Sequence, residues 1–133
     1  MGRDEARLTE PEKEPTICII EDDAAVARLV ARVATQTGHR VLVATSAVEA
    51  LQLIATEQPR LVIADVNLPD FRGPELIEKL RANGDSCPVL FISGDSSFET
   101  IEDSLGIAKA LFLAKPFTAS ELRDAIWSAL AQR

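Results

Sequence analysis

The sequence lacks the residue patterns of a disulfide framework, a zinc site or a membrane span. Its two cysteines, Cys18 and Cys87, have no paired spacing, so they are expected to be reduced thiols packed in the core. No apolar stretch approaches the roughly 20 residues that cross a bilayer, and the N-terminus has no apolar core of a signal peptide. These absences predict a cytoplasmic protein without membrane insertion.

Clusters of basic residues are missing as well. The net charge is −7 and no predicted helix carries a basic cluster, so most of the surface would repel the phosphates of nucleic acid. With 133 residues, 47% of them hydrophobic, the chain suits one domain with a real core and is too short for a regulator plus an appended effector. Residues 1–15 are rich in charge and proline and are expected to be a flexible tail, which leaves residues 16–133 as the domain.

Short apolar runs that alternate with helical patterns make up the rest of the chain. The runs predict buried parallel strands at about 16–21, 40–44, 60–65, 88–93 and 110–114. A helix is predicted after each strand, and the helix after the fourth strand is marked by the spacing of Phe98, Ile101 and Leu105. Gly38 is expected to end the first helix, and a capping box from Thr118 to Glu121 is expected to begin the last. Strict alternation of five strands with five helices predicts an α/β fold, doubly wound around a central parallel sheet.

Polar residues follow four of the five predicted strands. Glu21 and Asp22 follow the first strand, Asp65 the third, Ser93 the fourth and Lys115 the fifth. The carboxyl ends of parallel strands share one edge of the sheet, where ligands bind. Clustered carboxylates repel one another and need a cation, and oxygen donors suit a hard ion such as Mg²⁺. Ser93, Lys115 and the metal would together hold the oxygens of a phosphoryl group carried by Asp65, which is an aspartyl phosphate.

Each of these features has an ordinary structural explanation when taken alone. An acidic pair after a strand is commonly a solvated loop or a helix cap, and Asp23 is expected to cap the helix that begins at Ala24. The residues from Asp65 to Asp70 are rich in turn formers and would fit an ordinary turn. Unrelated turns would not place acids, a hydroxyl and a lysine at one edge of the same sheet, so the combination favours a functional site.

From about Thr16 to Arg133 the sequence resembles the receiver domain of two-component response regulators, in its single-domain, chemotaxis-regulator-like form. Four stretches carry the resemblance: Ile19 to Asp23, Val62 to Asp70 with Gly73, Val89 to Gly94, and Ala114 to Phe117. The resemblance implies a flavodoxin-like fold, in which the five strands follow the order 2-1-3-4-5.

The resemblance also implies a role for each residue of the site. Glu21 and Asp22 would be the magnesium acids, Asp65 the phosphoacceptor and a metal ligand, and Asn67 a metal ligand through its backbone carbonyl. Asn67 and Asp95 would flank the path of the water that later attacks the phosphoryl group. Glu21 stands where aspartate is more frequent, and its longer side chain still reaches the ion.

The remaining roles belong to the last two strands. Ser93 would be the switch hydroxyl, Lys115 the phosphoryl-binding lysine, and the Lys115-Pro116 bond is expected to be cis. Phe112 takes the position of the switch aromatic, which is often tyrosine, so an inward rotation would lack a hydroxyl to form a hydrogen bond. Gly94 follows Ser93 where alanine is usual, which leaves the site open to small phosphodonors.

The function implied is a phosphorylation-dependent signalling switch, which catalyses only its own phosphoryl transfer and autodephosphorylation and is not otherwise an enzyme. The only histidine, His39, is expected on the surface and not as the donor. The phosphohistidine would therefore belong to a sensor histidine kinase or a histidine phosphotransfer protein. Pairing with that partner is expected to depend on residues of the first helix, namely Ala25, Arg28, Leu29 and Arg32. The cognate kinase and the downstream target stay open.

Three alternatives remain. The chain could be a receiver fragment excised from a larger regulator or hybrid kinase, which would use the same site. It could be a phosphohydrolase with an aspartate nucleophile, but such an enzyme would want a second aspartate as general acid where Asn67 stands. A degenerate receiver that binds partners without phosphorylation is disfavoured by the complete set of acids, hydroxyl and lysine.

Overall fold

The structure, a computed structural model, describes residues 15–68, 70–94 and 110–132. In these residues five strands alternate with four helices: β1 (Thr16–Ile20), α1 (Ala24–Gln36), β2 (Arg40–Ala44), α2 (Ala47–Glu57), β3 (Leu61–Asp65), α3 (Gly73–Ala82), β4 (Val89–Ser93), β5 (Ala110–Ala114) and α4 (Ala119–Leu130). The helix predicted around Phe98, Ile101 and Leu105 lies outside the described residues, as do residues 1–14 of the predicted tail.

The strands form one parallel sheet in the order β2-β1-β3-β4-β5. This order confirms the predicted doubly wound, flavodoxin-like fold. The first strand of the chain lies near the middle of the sheet, so the chain winds outward in one direction to β2 and in the other through β3 and β4 to β5. Because all the pairings are parallel, the five carboxyl ends lie at the same edge, with β1 and β3 at the point where the winding direction reverses.

The core consists of two apolar layers, one on each face of the sheet. On one face α2 and α3 pack against the sheet through residues such as Ile54, Leu76 and Phe91. On the other face α1 and α4 pack through residues such as Val33 and Ile126. The strands β1 and β4 are buried throughout, which explains why their sequences are continuous apolar runs instead of alternating ones.

Helix ends are defined by the residues that the sequence marked. The Asp23 carboxylate caps α1, since Oδ1 accepts the backbone N–H groups of Ala25 at 2.9 Å and Val26 at 3.2 Å. Gly38, with φ of +86°, provides the left-handed turn that ends α1. Thr118 and Glu121 form the predicted capping box at the start of α4. None of the helices in the described part of the chain has the length and apolar character needed to cross a membrane.

The expectation that His39 is a surface residue is wrong, because His39 is only 9% exposed. The indole of Trp127 on α4 lies edge-on to the imidazole, with ring centroids 6.5 Å apart. Thr37 Oγ1 lies within hydrogen-bond distance of both the Ala34 carbonyl, at 2.6 Å, and His39 Nδ1, at 2.9 Å. His39 precedes β2, at the sheet edge opposite the acidic residues, and its role is packing between α1 and α4.

Candidate functional site

Three carboxylates meet at the edge of the sheet formed by the carboxyl ends of the strands. Ile20 pairs with Ala64 in the register of β1 and β3. The next residue of each segment, Glu21 and Asp65, therefore lies beside the other at the ends of two neighbouring strands. Asp22 completes the group, and one oxygen from each of the three carboxylates lies within 4.8 Å of the others. The topology of the fold therefore brings Asp65 beside two acids that lie more than 40 residues earlier in the chain.

Glu21 is the buried member of this cluster, with 3% exposure. Its backbone N–H donates to the Ala44 carbonyl at 3.0 Å, and its Oε2 accepts the N–H of Asp23 at 3.2 Å. Burial raises the pKa of Glu21, and the nearby negative charge of Asp65 raises it further, although the Asp23 hydrogen bond and Lys115 act in the opposite direction. The ionised Glu21 is therefore short of positive charge, and a bound cation would stabilise it.

Both oxygens of Asp65 have partners in the described structure. Oδ1 accepts the backbone N–H of Asn67 at 2.8 Å, and Oδ2 lies 3.2 Å from Lys115 Nζ. The same ammonium lies 3.8 Å from Oε1 of Glu21. Burial works to lower the pKa of Lys115, but its hydrogen bond to Asp65 and the charges of Asp65 and Glu21 outweigh burial and raise that pKa. Lys115 therefore stays protonated and supplies positive charge to the acids.

Ser93 and Lys115 are joined through the backbone at the ends of β4 and β5. Ser93 is 1% exposed, and its carbonyl accepts the Lys115 N–H at 2.8 Å. The Lys115-Pro116 bond is cis, which confirms the expectation for this turn. A methyl group at Gly94 would lie 3.7 Å from Cδ of Lys115, so glycine leaves the lysine stem uncovered, in line with the predicted open site.

Phe112 lies deeper, behind the edge of the sheet. It is partly buried and stacks on Phe91 of β4, with ring centroids 5.5 Å apart and an angle of 27° between the planes. Phe91 is in turn in contact range of Gly73, where an added Cβ would lie 3.0 Å from Cε1 of the ring. The aromatic expected to act in switching is therefore packed against a second aromatic that the sequence analysis did not single out.

Asp70 is a second residue whose contacts the sequence analysis missed. Its sequence context predicts a turn former, but its carboxylate accepts the N–H groups of Ala47 and Val48 at the start of α2. The partners are more than 20 residues away, and no local pattern signals them. Asp95, expected near the attacking water, lies outside the described residues.

The donor atoms of the acidic cluster fit magnesium. They are all carboxylate oxygens, which hard cations such as Mg²⁺ prefer, whereas zinc sites are built mainly from sulfur and nitrogen ligands. The raised pKa of Glu21 is a second indication, because it reports a carboxylate whose negative charge is not fully compensated by Lys115.

The buried negative charge of Glu21 leads to a prediction for the stability of the Glu21→Gln variant. The glutamine can keep the contact with the Asp23 N–H while it removes a buried charge, so the free energy of unfolding of the metal-free protein should rise by about 1 kcal/mol. The folded-state pKa of Glu21 lies above its usual 4.5, so the folded protein binds more protons than the unfolded chain just above that value. The advantage of the variant should therefore shrink as the pH falls toward 4.5.

Urea unfolding of both proteins between neutral pH and pH 4.5 measures this effect. Asp22→Asn is the matched control, because it removes the charge of an exposed acid from the same cluster and should change the unfolding free energy little. A Glu21→Gln protein that is less stable than the wild type at neutral pH would show that the buried charge of Glu21 does not destabilise the folded protein.

The comparisons with known proteins agree with this geometry. The family described as the response regulator receiver domain matches residues 17–127. The response regulator MprA of Mycobacterium sp. (strain KMS) is 35% identical over 106 residues, which cover 80% of this chain and 46% of that protein. The chain therefore spans about half the length of the curated relatives it matches.

Two solved structures show the same fold. A CheY-like response regulator receiver domain protein from Methanospirillum hungatei is 29% identical, with a TM-score of 0.79 over 90% of this chain and 96% of that one. The receiver domain of the Francisella response regulator 1452 is 28% identical, with a TM-score of 0.75 over 89% and 98% of the two chains. Domains of this family take phosphoryl groups from histidine kinases and bind Mg²⁺ in an acidic pocket. This chain belongs to the response regulator receiver domain family.

Proposed function

We propose that the domain is a phosphorylation-dependent switch, in which Asp65 accepts a phosphoryl group from the phosphohistidine of a partner protein in a Mg²⁺-dependent reaction. One observation carries the proposal. The Asp65 carboxylate lies in a group of three acids that could hold a cation and is also 3.2 Å from the ammonium of Lys115. A nucleophilic carboxylate between a cation site and a lysine is suited to bind a phosphoryl group and to stabilise the negative charge on its three oxygens.

Four residues would hold the metal. Glu21, Asp22 and Asp65 would contribute carboxylate oxygens, and Asn67 its backbone carbonyl. When bound, Mg²⁺ supplies positive charge that offsets the repulsion between the acids and the incoming phosphoryl oxygens. Two contacts of Asn67 support this role, because its bridge with Arg72 and the hydrogen bond from its N–H to Asp65 keep its backbone close to the acidic cluster.

Transfer begins when a carboxylate oxygen of Asp65 attacks the phosphorus atom of the donor. The bond from phosphorus to the imidazole nitrogen breaks, the electron pair stays on the imidazole, and an acyl phosphate forms on Asp65. Lys115, which pairs with the carboxylate before the reaction, moves its ammonium to a phosphoryl oxygen as negative charge shifts there. The Ser93 hydroxyl donates to another phosphoryl oxygen. Attack by water later releases phosphate and restores the carboxylate.

Phosphorylation would change the protein-binding face through Ser93 and Phe112. The phosphoryl group carries about −1.5 to −2 charges in place of the single charge of the Asp65 carboxylate, and its oxygens draw the Ser93 hydroxyl and the Lys115 ammonium toward the site. Movement of the Ser93 segment then lets Phe112 change its packing on Phe91. The phosphodonor would be a sensor histidine kinase or a histidine phosphotransfer protein. The residues expected to contact it, Ala25, Arg28, Leu29 and Arg32, are all exposed on α1.

Incubation of the wild type with acetyl phosphate tests the proposal. Intact-mass spectrometry should detect one phosphoryl adduct in the presence of Mg²⁺ and none after chelation of the metal with EDTA. Hydroxylamine should remove the adduct, because acyl phosphates are cleaved by this nucleophile and phosphate esters of serine are not. Steady hydrolysis of many phosphate esters, without an adduct, would favour a phosphohydrolase and would contradict the switch. A receiver unit within a larger regulator or hybrid kinase is the alternative, and it would give the same adduct.

A further inference from the structure

Asp70 joins the loop after the proposed phosphoacceptor to a different helix. Its Oδ1 accepts the N–H of Ala47 and its Oδ2 accepts the N–H of Val48, both at 2.9 Å. These N–H groups belong to the first turn of α2 and have no partner within the helix. The hydrogen bond from Ala47 is the largest of the influences that lower the pKa of Asp70, so the carboxylate stays ionised at neutral pH.

The helix α2 already has a cap of its own. The Ser46 hydroxyl accepts the N–H of Glu49 at 3.2 Å, as an N-cap residue normally does. Asp70 binds the two N–H groups that Ser46 does not bind. Because the start of α2 has its own N-cap, the contacts of Asp70 point to a role for the loop that carries it.

The other end of that loop is attached to Asp65. The N–H of Asn67 donates to Oδ1 of Asp65 at 2.8 Å, and the N–H of Gly73 donates to the Val66 carbonyl at 2.9 Å. The bridge between Asn67 and Arg72 closes the loop at its base. Asp70 therefore attaches one part of the loop to α2, and the Asn67 N–H attaches the base of the loop to Asp65, the carboxylate that we propose is phosphorylated.

The helix that Asp70 binds, α2, is also connected to the acidic cluster. The last residue of β2, Ala44, accepts the backbone N–H of Glu21 at 3.0 Å, and α2 begins three residues later at Ala47. Asp70 therefore links the loop after β3, in which the Asn67 N–H binds the Asp65 carboxylate, with the loop after β2, which directly follows the residue that binds the backbone N–H of Glu21. Asp70 thus connects the backbone segments that lie beside Asp65 and Glu21.

We propose that Asp70 is a positioning residue for phosphoryl transfer, which holds Asn67 against Asp65 by anchoring the β3–α3 loop to the start of α2. The inference rests on the proposed function, because it assigns Asp70 to the same reaction. Without the anchor, the Asn67 N–H would be held less firmly on Asp65, and the carbonyl that we propose as a metal ligand would be less well positioned. Partners that orient metal ligands typically change metal affinity by about 10-fold or more when they are removed, and we expect a loss of that size.

The test compares Asp70→Ala and Asp70→Asn with the matched control Ser46→Ala. All three remove hydrogen bonds from the start of α2, but only the Asp70 variants release the loop. Calorimetric titration with Mg²⁺ gives the dissociation constant without phosphorylation, and intact mass gives the rate of adduct formation with acetyl phosphate. Amide hydrogen exchange at Asn67 reports the loop directly, and urea unfolding measures how much each variant loses in stability.

We expect Asp70→Ala to weaken Mg²⁺ binding and to slow adduct formation, each by about 10-fold, and to speed exchange at Asn67. Asp70→Asn, which keeps one acceptor oxygen, should lie between Asp70→Ala and the wild type. Ser46→Ala should lose stability and keep wild-type values for the other three quantities. Asp70 variants whose Mg²⁺ affinity, adduct rate and Asn67 exchange equal those of Ser46→Ala would overturn the inference, since Asp70 would then be a helix cap only. An adduct on the wild-type protein would still support the proposed function in that case. If the wild type forms no adduct and binds no Mg²⁺, the proposed function and the inference are both contradicted.

Discussion

Asp65→Asn is expected to abolish the phosphoryl adduct completely. The amide oxygen is a far weaker nucleophile than a carboxylate, so the acyl phosphate cannot form at this position. The substitution should leave the fold intact, because the asparagine oxygen can still accept the N–H of Asn67 and the buried strand before it is unchanged. Loss of the adduct would therefore reflect the loss of the nucleophilic carboxylate and not unfolding of the protein.

Intact mass after incubation with acetyl phosphate and Mg²⁺ measures this result, with thermal unfolding as the check on folding. Asp124→Asn is the matched control, because it makes the same chemical change at an exposed position on α4. The control should form the adduct like the wild type. An Asp65→Asn protein with a full adduct would mean that another acid is the phosphoacceptor, and the proposed roles of the neighbouring residues would have to be reassigned.

Lys115→Met is expected to slow adduct formation by about 100-fold, the loss that follows when one preorganised charge donor is removed from a reacting oxyanion. Methionine keeps the length of the side chain and removes the ammonium that lies 3.2 Å from Asp65 and 3.8 Å from Glu21. In the metal-free protein the two acids would lose this counter-charge. The free energy of unfolding should therefore fall by about 1–2 kcal/mol, less than for a fully buried pair because Lys115 is partly exposed.

Saturating Mg²⁺ should restore much of that lost stability, because the ion replaces the missing positive charge beside the acids. Rates from intact mass and urea unfolding with and without the metal measure both effects. Lys79→Met on α3 is the matched control, since it removes the same charge from an exposed site. A Lys115→Met protein with wild-type rates would exclude a role for this lysine in binding the phosphoryl group.

The sheet could be predicted from the sequence because β1, β3 and β4 are short apolar runs that are buried on both faces. Each run ends where polar residues begin, so the boundaries of β1, β3 and β4 agree with the predictions to within one residue. The acidic cluster followed from the same pattern, since a parallel sheet places all carboxyl ends at one edge. Local capping signals at Asp23 and Thr118 were also sufficient, because their partners lie within three residues.

Contacts between distant segments could not be predicted in this way. His39 has polar and glycine neighbours that suggest an exposed turn, but in the fold it is buried, and the indole of Trp127 on the distant helix α4 lies edge-on to its ring. Asp70 has the sequence context of a turn, and only the fold reveals that α2 begins within reach of its carboxylate. The stacking of Phe112 on Phe91 depends on the register of β4 and β5, which the composition of either strand leaves undetermined.

The most direct test of the account locates the phosphoryl group in the wild-type protein. Borohydride reduces an aspartyl phosphate to homoserine, and tandem mass spectrometry of a digest then identifies the changed residue. After treatment with acetyl phosphate and Mg²⁺, the account predicts homoserine at position 65 and nowhere else, and none when EDTA is present. Homoserine at another aspartate, or at position 65 to the same extent without a divalent metal, would contradict the account.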